Sequence, residues 1–155
     1  MKNHSYAVDL RWTGNTGSGT SSYRSFERSH SVTSPGKAPI AGSSDPVFRG
    51  DPTCWNPEEL LVASLSQCHM LWYLHLCTMA NVVVTAYEDH PTGTMTEHDD
   101  GSGQFSEVTL HPVVTVASAD MVEAATALHQ EVHNYCFIAR SVWFPVVVIC
   151  DVRVG

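Results

Sequence analysis

Positive charge is scarce in this sequence, and its scarcity excludes one large class of partners. The 155 residues include 8 Lys and Arg against 16 Asp and Glu, which gives a formal net charge of -8. The cations are scattered, and none lies between Arg49 and Arg140. Proteins that bind nucleic acids cluster Lys and Arg against the phosphates. We therefore expect no nucleic-acid partner.

A long run without any Asp, Glu, Lys or Arg follows Glu59 and ends at Glu88. Its first part, residues 60–80, is long enough to raise the question of a membrane span. The run nevertheless contains polar side chains such as His69, and no Lys or Arg follows it until Arg140. A membrane span normally carries cationic anchors on one flank. The pattern favours a buried helix of a soluble protein, with no membrane partner.

Several motifs are also missing. The first residues, MKNHSYAVDL, contain no apolar signal-peptide core, so we expect a cytoplasmic protein. Gly14, Gly17 and Gly19 fit neither a dinucleotide-binding nor a phosphate-binding loop, and no cofactor is expected. The five cysteines are an odd number and form no CxxC pair, which argues against structural disulfides in a reducing compartment. Free core thiols or redox chemistry remain.

The order of strands and helices predicts an α+β fold in a single domain, residues 1–155, with antiparallel strands packed on helices. Alternating and β-branched residues predict strands at residues 5–12, 28–33, 82–90, 105–118 and 144–154. Residues 34–55 are dense in Pro, Gly and Ser and are expected to be irregular. Helices are predicted from Asn56–Pro57 to about Met79, where Asn can cap the first turn, and over Ala119–Asn134.

The thiol of Cys68 lies in the middle of the uncharged first helix. Thiolate is the reactive form of cysteine, and apolar surroundings raise the pKa of a thiol. A reactive Cys68 therefore needs a cation from Arg49, from Arg140, from a histidine or from another chain. Glu58 is about 15 Å from Cys68 along a straight helix, so a carboxylate in the same site comes most simply from a second subunit. Cys77 is about half a turn out of phase with Cys68 and is expected to be a plain core residue.

Three segments carry a resemblance to a known family. NPEELLVASLSQC places Cys68 ten positions after Glu58, HNYCFIARSV contains Cys136, and FRGD contains Arg49. Together they resemble the OsmC/Ohr family, which comprises osmotically inducible protein C and the organic hydroperoxide resistance proteins. The order of strands and helices is also similar to that of the family, so the resemblance extends over essentially the whole chain.

The resemblance implies an intertwined homodimer with antiparallel sheets around a long buried central helix. It implies a thiol-dependent hydroperoxide reductase that serves in oxidative stress defence and is reset by a dithiol, either lipoyl or thioredoxin-like. Cys68 is then the peroxidatic cysteine and Cys136 the resolving one, while Arg49 stabilises the thiolate and Glu58 orients Arg49. The fallback candidates for the arginine are Arg11, Arg24 and Arg28.

The sequence also departs from the better-characterised members of the family. Phe137 follows the second cysteine where those members tend to have a nearby proline, and His69 follows Cys68 where an aromatic residue is common. An apolar wall of leucines, Trp72 and Phe137 would suit an organic hydroperoxide better than hydrogen peroxide. These departures indicate a separate branch of the family.

Two alternatives remain open. His129 and His133 are spaced for one face of a helix, and Cys136 follows three residues later, so the three could bind zinc with His69 as a possible fourth ligand. Alternatively, the protein could be a non-catalytic dimer that senses oxidants or binds an apolar ligand.

Overall fold

Helix α1 runs from Pro57 to Met79, as the sequence predicts. Asn56 caps it: the Glu59 N–H donates to Asn56 Oδ1 over 2.8 Å, and the Asn56 N–H donates to Glu59 Oε2 over 3.2 Å. This reciprocal pair is a capping box, which satisfies two backbone donors at the helix start. Glu59 therefore does more than place charge near the helix dipole.

The computed structural model describes residues 1–155, which form two compact units, 1–61 and 62–155. The single-domain prediction is not tested by this division and stays a prediction. In the first unit a three-stranded antiparallel sheet has the order β1–β2–β3, followed by a 3₁₀ turn at Pro46–Phe48. Its strands are β1 Asp9–Trp12, β2 His30–Thr33 and β3 Ile40–Gly42. Strand β3 lies within the segment that was expected to be irregular.

The second unit contains two three-stranded sheets, ordered β4–β7–β9 and β5–β6–β8. The strands are β4 Val84–Asp89, β5 Thr92–Glu97, β6 Gly103–Leu110, β7 Pro112–Val116, β8 Val146–Val148 and β9 Asp151–Val154. The pairs β4–β7 and β5–β6 are antiparallel, whereas β6–β8 and β7–β9 are parallel. The α+β class is confirmed, and the strand pairing is mixed.

Strand and helix boundaries in the second unit differ from the prediction in several places. The single strand expected over 105–118 is interrupted at His111, whose N–H donates to Asp89 Oδ1 over 2.7 Å instead of continuing a ladder. The closing strand over 144–154 is likewise two strands. Helix α2 covers Val122–Val132 and is preceded by a 3₁₀ turn, so it is shorter than the predicted Ala119–Asn134.

The buried residues of α1 form one stripe along the helix. Leu65, His69, Tyr73 and Cys77 recur every fourth residue and are buried. Leu71, on another face, is 62% exposed. By length and composition alone the helix could cross a membrane, a test that core helices of soluble proteins also pass. Within one chain, this stripe of the central helix is therefore buried as predicted, and the other faces are not.

Tyr73 and Cys77 of the α1 stripe pack on α2 and on the sheet β4–β7–β9, whereas Leu65 packs on β6. Tyr73, Cys77, Val114, Ala125 and Cys136 belong to one buried cluster. The Tyr73 hydroxyl donates to the Ala125 carbonyl over 3.0 Å, which joins α1 to α2 inside the core. This buried hydrogen bond leaves the Tyr73 oxygen satisfied and fixes the two helices against each other.

We predict that Asn56→Ala lowers the free energy of unfolding by about 1 kcal/mol, because it removes the acceptor for the Glu59 N–H. The matched control is Glu59→Gln, which keeps a side-chain acceptor for the Asn56 N–H. Urea unfolding followed by circular dichroism measures both variants. A stability of Asn56→Ala equal to that of the unsubstituted protein would contradict the capping role.

Candidate functional site

Two cysteines that are far apart in the sequence meet inside the second unit. Cys68 lies on α1 and is half-buried, and Cys136 lies just beyond the end of α2 and is 2% exposed. The Cys136 N–H donates to the Val132 carbonyl over 2.9 Å, which continues the helical turn past the end of α2. Cys68 packs against the buried cluster that contains Cys136, and neither cysteine is in a disulfide.

The surroundings keep Cys136 protonated. Burial and, after it, the hydrogen bond with the Cys68 thiol raise the pKa of Cys136 to about 11. The Ala139 N–H, which donates to Cys136 Sγ over 3.4 Å, lowers that pKa in part. A protonated Cys136 can donate its S–H toward Cys68. The peroxidatic role of Cys68 and the resolving role of Cys136 stay predictions.

Aromatic side chains stand beside the thiol pair. The Trp72 ring, one helical turn after Cys68, stacks on Tyr135 with centroids 5.3 Å apart and meets Phe137 edge-on at 5.5 Å. Phe137 is 63% exposed. These side chains form an apolar wall, as predicted from Trp72 and Phe137, and the wall is open on its outer side.

Arg49 and Glu58 belong to the first unit, and Cys68 and Cys136 to the second. Arg49 is exposed after the 3₁₀ turn, with a left-handed φ of 67°. Glu58 is half-buried in the first turn of α1. No ion pair joins Arg49 to Glu58 within the chain, whose one ion pair links Arg153 and Asp151. Their roles as thiolate partner and orienting carboxylate stay predictions.

The fallback arginines differ in how free they are. Arg28 is held in its own loop, where its guanidinium donates to the carbonyls of Phe26 and Tyr23 and lies over both of their rings. Arg11 on β1 and Arg24 are exposed. Arg28 therefore has a structural role in this chain, whereas the other two remain available.

A buried pair of histidines lies next to the thiol pair. His69 Nε2 and His129 Nδ1 are 2.9 Å apart in a hydrogen bond, and the His129 ring stacks on Tyr73 at 3.9 Å. Burial lowers the pKa of His69 to about 4 and that of His129 to about 3. Both rings are therefore neutral near pH 7, so one nitrogen of the pair donates and the other accepts.

The zinc hypothesis is not supported by this arrangement. His129 Nδ1 is in a hydrogen bond with His69, and His133 is exposed. The structure contains no group of three His, Cys, Asp or Glu side chains placed to hold a metal ion. His69, His129, His133 and Cys136 line one cavity, but no three of these side chains are placed to hold a metal ion.

Sequence reasoning missed the pairing of His69 with His129. Each histidine lies on the buried stripe of its helix, with Leu65 and Tyr73 on α1 and with Ala125 and Val132 on α2. A histidine at a core position of each of two helices is the signal that could have found the pair, since buried polar groups need partners.

More than half of the chain matches the model of a known protein family. A model of the family described as OsmC-like protein matches residues 50–150. No curated protein matches the chain in sequence.

Solved structures share the whole fold. An OsmC-like protein of unknown function from Vibrio cholerae is 28% identical with a TM-score of 0.82, over 97% of this chain and 99% of that one. An organic hydroperoxide resistance protein from Elizabethkingia anophelis is 19% identical with a TM-score of 0.69, over the full length of both chains (100% and 100%). One from Legionella pneumophila is 15% identical with a TM-score of 0.68, over 100% and 99%.

We predict that stability falls between pH 7 and pH 5 because of the histidine pair. An unfolded histidine has a pKa of about 6.5. Below that pH, His69 and His129 bind protons in the unfolded chain but not in the folded one. The free energy of unfolding then drops by up to about 1.4 kcal/mol per pH unit for each histidine. Urea titrations at several pH values measure the slope, with His98→Gln as the control for an exposed histidine. An equally steep slope in the His69→Gln/His129→Gln variant would contradict the assignment.

Proposed function

Because the chain belongs to the OsmC-like protein family, we propose that it is a thiol-dependent peroxidase that reduces organic hydroperoxides in oxidative stress defence. The observation that carries the proposal is the packing of Cys68 against the buried cluster that contains Cys136. A peroxidatic cysteine needs a second thiol within bonding reach to close a disulfide, and we propose Cys136 for that role. Solved structures of the same fold that are named organic hydroperoxide resistance proteins agree with this choice.

The first step is attack by the Cys68 thiolate on the terminal oxygen of the hydroperoxide. The S–O bond forms as the O–O bond breaks, and the alkoxide leaves and is protonated to an alcohol. Cys68 is thereby oxidised to a sulfenic acid. In this proposal the S–H of Cys136 stabilises the anionic sulfur before the attack.

The second step joins the two cysteines. The Cys136 sulfur attacks the sulfenic sulfur of Cys68, water leaves, and a Cys68–Cys136 disulfide forms. The raised pKa of Cys136 makes it a weak nucleophile until the hydroxide of the sulfenic acid accepts its proton. A dithiol of the lipoyl or thioredoxin-like class then reduces the disulfide by exchange, and the cycle is proposed to run in the cytoplasm.

A homodimer completes the proposal. Outside its buried stripe α1 exposes apolar side chains, among them Leu71 at 62% and Met79 at 71%. A second copy would cover this surface, since apolar helix faces of small domains are often buried between subunits. Arg49 and Glu58 are proposed to act on Cys68 in the dimer, where Arg49 stabilises the thiolate and the leaving oxygen and Glu58 orients Arg49.

We predict that one equivalent of cumene hydroperoxide forms a Cys68–Cys136 disulfide, which peptide mapping after alkylation detects. Cys68→Ser loses peroxidase activity with dithiothreitol as reductant. Cys136→Ser retains one oxidation and accumulates a sulfenic acid that dimedone traps, because the resolving thiol is gone.

Cys54→Ser and Cys77→Ser are the matched controls, and both are expected to keep turnover. Unchanged activity in Cys68→Ser would reject the catalytic assignment. A protein that is oxidised once and is not recycled by any dithiol would favour the sensor over the enzyme.

We predict that Arg49→Ala lowers kcat/KM for cumene hydroperoxide roughly a hundredfold, because it removes a charged donor from the reacting sulfur and the leaving oxygen. Arg49→Lys should recover part of that loss. Steady-state assays on the dimer measure both, with Arg24→Ala as the control at another exposed arginine. A loss in Arg24→Ala or Arg11→Ala, with Arg49→Ala unaffected, would transfer the role to that residue.

We predict a preference for organic hydroperoxides over hydrogen peroxide, because the wall of Trp72 and Phe137 offers apolar contact and little hydrogen bonding. The ratio of kcat/KM for cumene hydroperoxide to that for hydrogen peroxide should fall in Trp72→Ala. Met95→Ala serves as the control at an exposed apolar position on β5. Comparable rates with the two peroxides in the unsubstituted protein would remove the preference.

A further inference from the structure

A cavity of about 260 Å³ lies in the second unit with Cys136 in its wall. Leu65, Leu110, Val146 and Val148 give this wall an apolar part, and His69 and His129 give it a polar part. Cys68 does not line it. The exposed side chains of Gln130 and His133 also line it, so the cavity reaches solvent. It therefore gives a small molecule access to Cys136 on a side where Cys68 is absent.

One polar atom in this wall has no partner. His129 is 1% exposed and lines the cavity, and its Nε2 makes no hydrogen bond although it is buried. A buried polar atom without a partner is rare, because the lost hydration is not repaid. The other ring nitrogen is already bound to His69. When His69 Nε2–H is the donor in that bond, His129 carries its proton on Nε2, where it can donate to a ligand in the cavity.

We propose that this cavity receives the dithiol that resets the enzyme, and that the dithiol attacks the Cys68–Cys136 disulfide at the Cys136 sulfur. The inference rests on the proposed peroxidase function and adds to it the position and direction of the reductive step. The ligand class is an organic thiol with an apolar body, which packs on the aliphatic wall while its sulfur approaches Cys136. His129 Nε2–H lies in the same wall and can donate to the attacking sulfur.

The exchange balances as follows. One thiol of the reductant loses its proton to solvent, and its thiolate forms a bond to the Cys136 sulfur while the Cys136–Cys68 bond breaks. Cys68 leaves as a thiolate, which is the form needed for the next attack on peroxide. The second thiol of the reductant then attacks the reductant sulfur that is bonded to Cys136. The bond to Cys136 breaks, and Cys136 leaves and takes up a proton. The dithiol is oxidised by two electrons, and the enzyme is reduced by two.

Leaving-group chemistry favours this direction. A thiolate of high pKa is a poor leaving group, and burial raises the pKa of Cys136. Attack at the Cys68 sulfur would have to expel Cys136 in the first step, whereas attack at Cys136 expels Cys68. The aromatic wall of Trp72, Tyr135 and Phe137 stands beside Cys68 and is left to the peroxide. The two half-reactions then use different approaches to the same disulfide.

The first test maps the mixed disulfide in the unsubstituted protein. The full chain is oxidised with one equivalent of cumene hydroperoxide, treated briefly with mercaptohexanol, a monothiol that cannot complete the exchange, and quenched with iodoacetamide. Mass spectrometry should find mercaptohexanol on Cys136 and the alkyl group on Cys68, in about tenfold excess over the reverse arrangement at the earliest times. The reverse arrangement in excess would overturn the proposal.

The second test fills the cavity. Val148→Met adds volume to the wall, and Val152→Met makes the same change on β9, at a core position that does not line the cavity. Val148→Met should slow reduction of the preformed disulfide by mercaptohexanol about tenfold and leave its formation by cumene hydroperoxide unchanged, with Val152→Met normal in both. Reduction of Val148→Met at the unsubstituted rate would overturn the cavity assignment. Failure of the disulfide to form in the unsubstituted protein would instead overturn the peroxidase proposal itself.

Discussion

The contact between the Cys68 and Cys136 thiols depends on where two helices are held against each other. Cys68 is placed by α1, whose buried stripe of Leu65, His69, Tyr73 and Cys77 faces the core. Cys136 is placed by the turn that follows Val132, and its sulfur accepts from the Ala139 N–H. Two buried hydrogen bonds, Tyr73 to Ala125 and His69 to His129, join the helices that carry them. Side chains packed this closely tolerate little displacement, so the thiol pair is held by the core itself.

Burial has opposite consequences for the two sulfurs. A thiol in an apolar core is normally inert, because the thiolate loses its hydration. Cys136 avoids that cost because it stays protonated, and its S–H can then act as a hydrogen-bond donor. Cys68 is only half-buried and lies beside an aromatic wall that opens outward. This difference in burial is the arrangement that the proposed division between a peroxidatic Cys68 and a resolving Cys136 requires.

Local signals in the sequence were sufficient for α1 and insufficient for features that depend on distant partners. Asn56 and Pro57 mark the start of α1, and the apolar run carries it to Met79. Strand β5 was missed because Thr92–Glu97 is exposed on both faces and so lacks alternation. The break at His111 arises from its hydrogen bond to Asp89, which is far along the chain. The parallel pairing of β8 with β6 and of β9 with β7 is likewise long-range. The partnership of Cys68 with Cys136 was predicted from family resemblance, because no local pattern links the two positions.

The most direct test of the thiol pair is its redox equilibrium. The purified protein is equilibrated with dithiothreitol buffers of graded potential, and the free thiols of Cys68 and Cys136 are quantified by alkylation and mass spectrometry. Both thiols should disappear together in one two-electron transition, and Cys68→Ser and Cys136→Ser should each abolish it. Independent oxidation of the two cysteines, or an intramolecular disulfide that forms at no potential, would contradict the account.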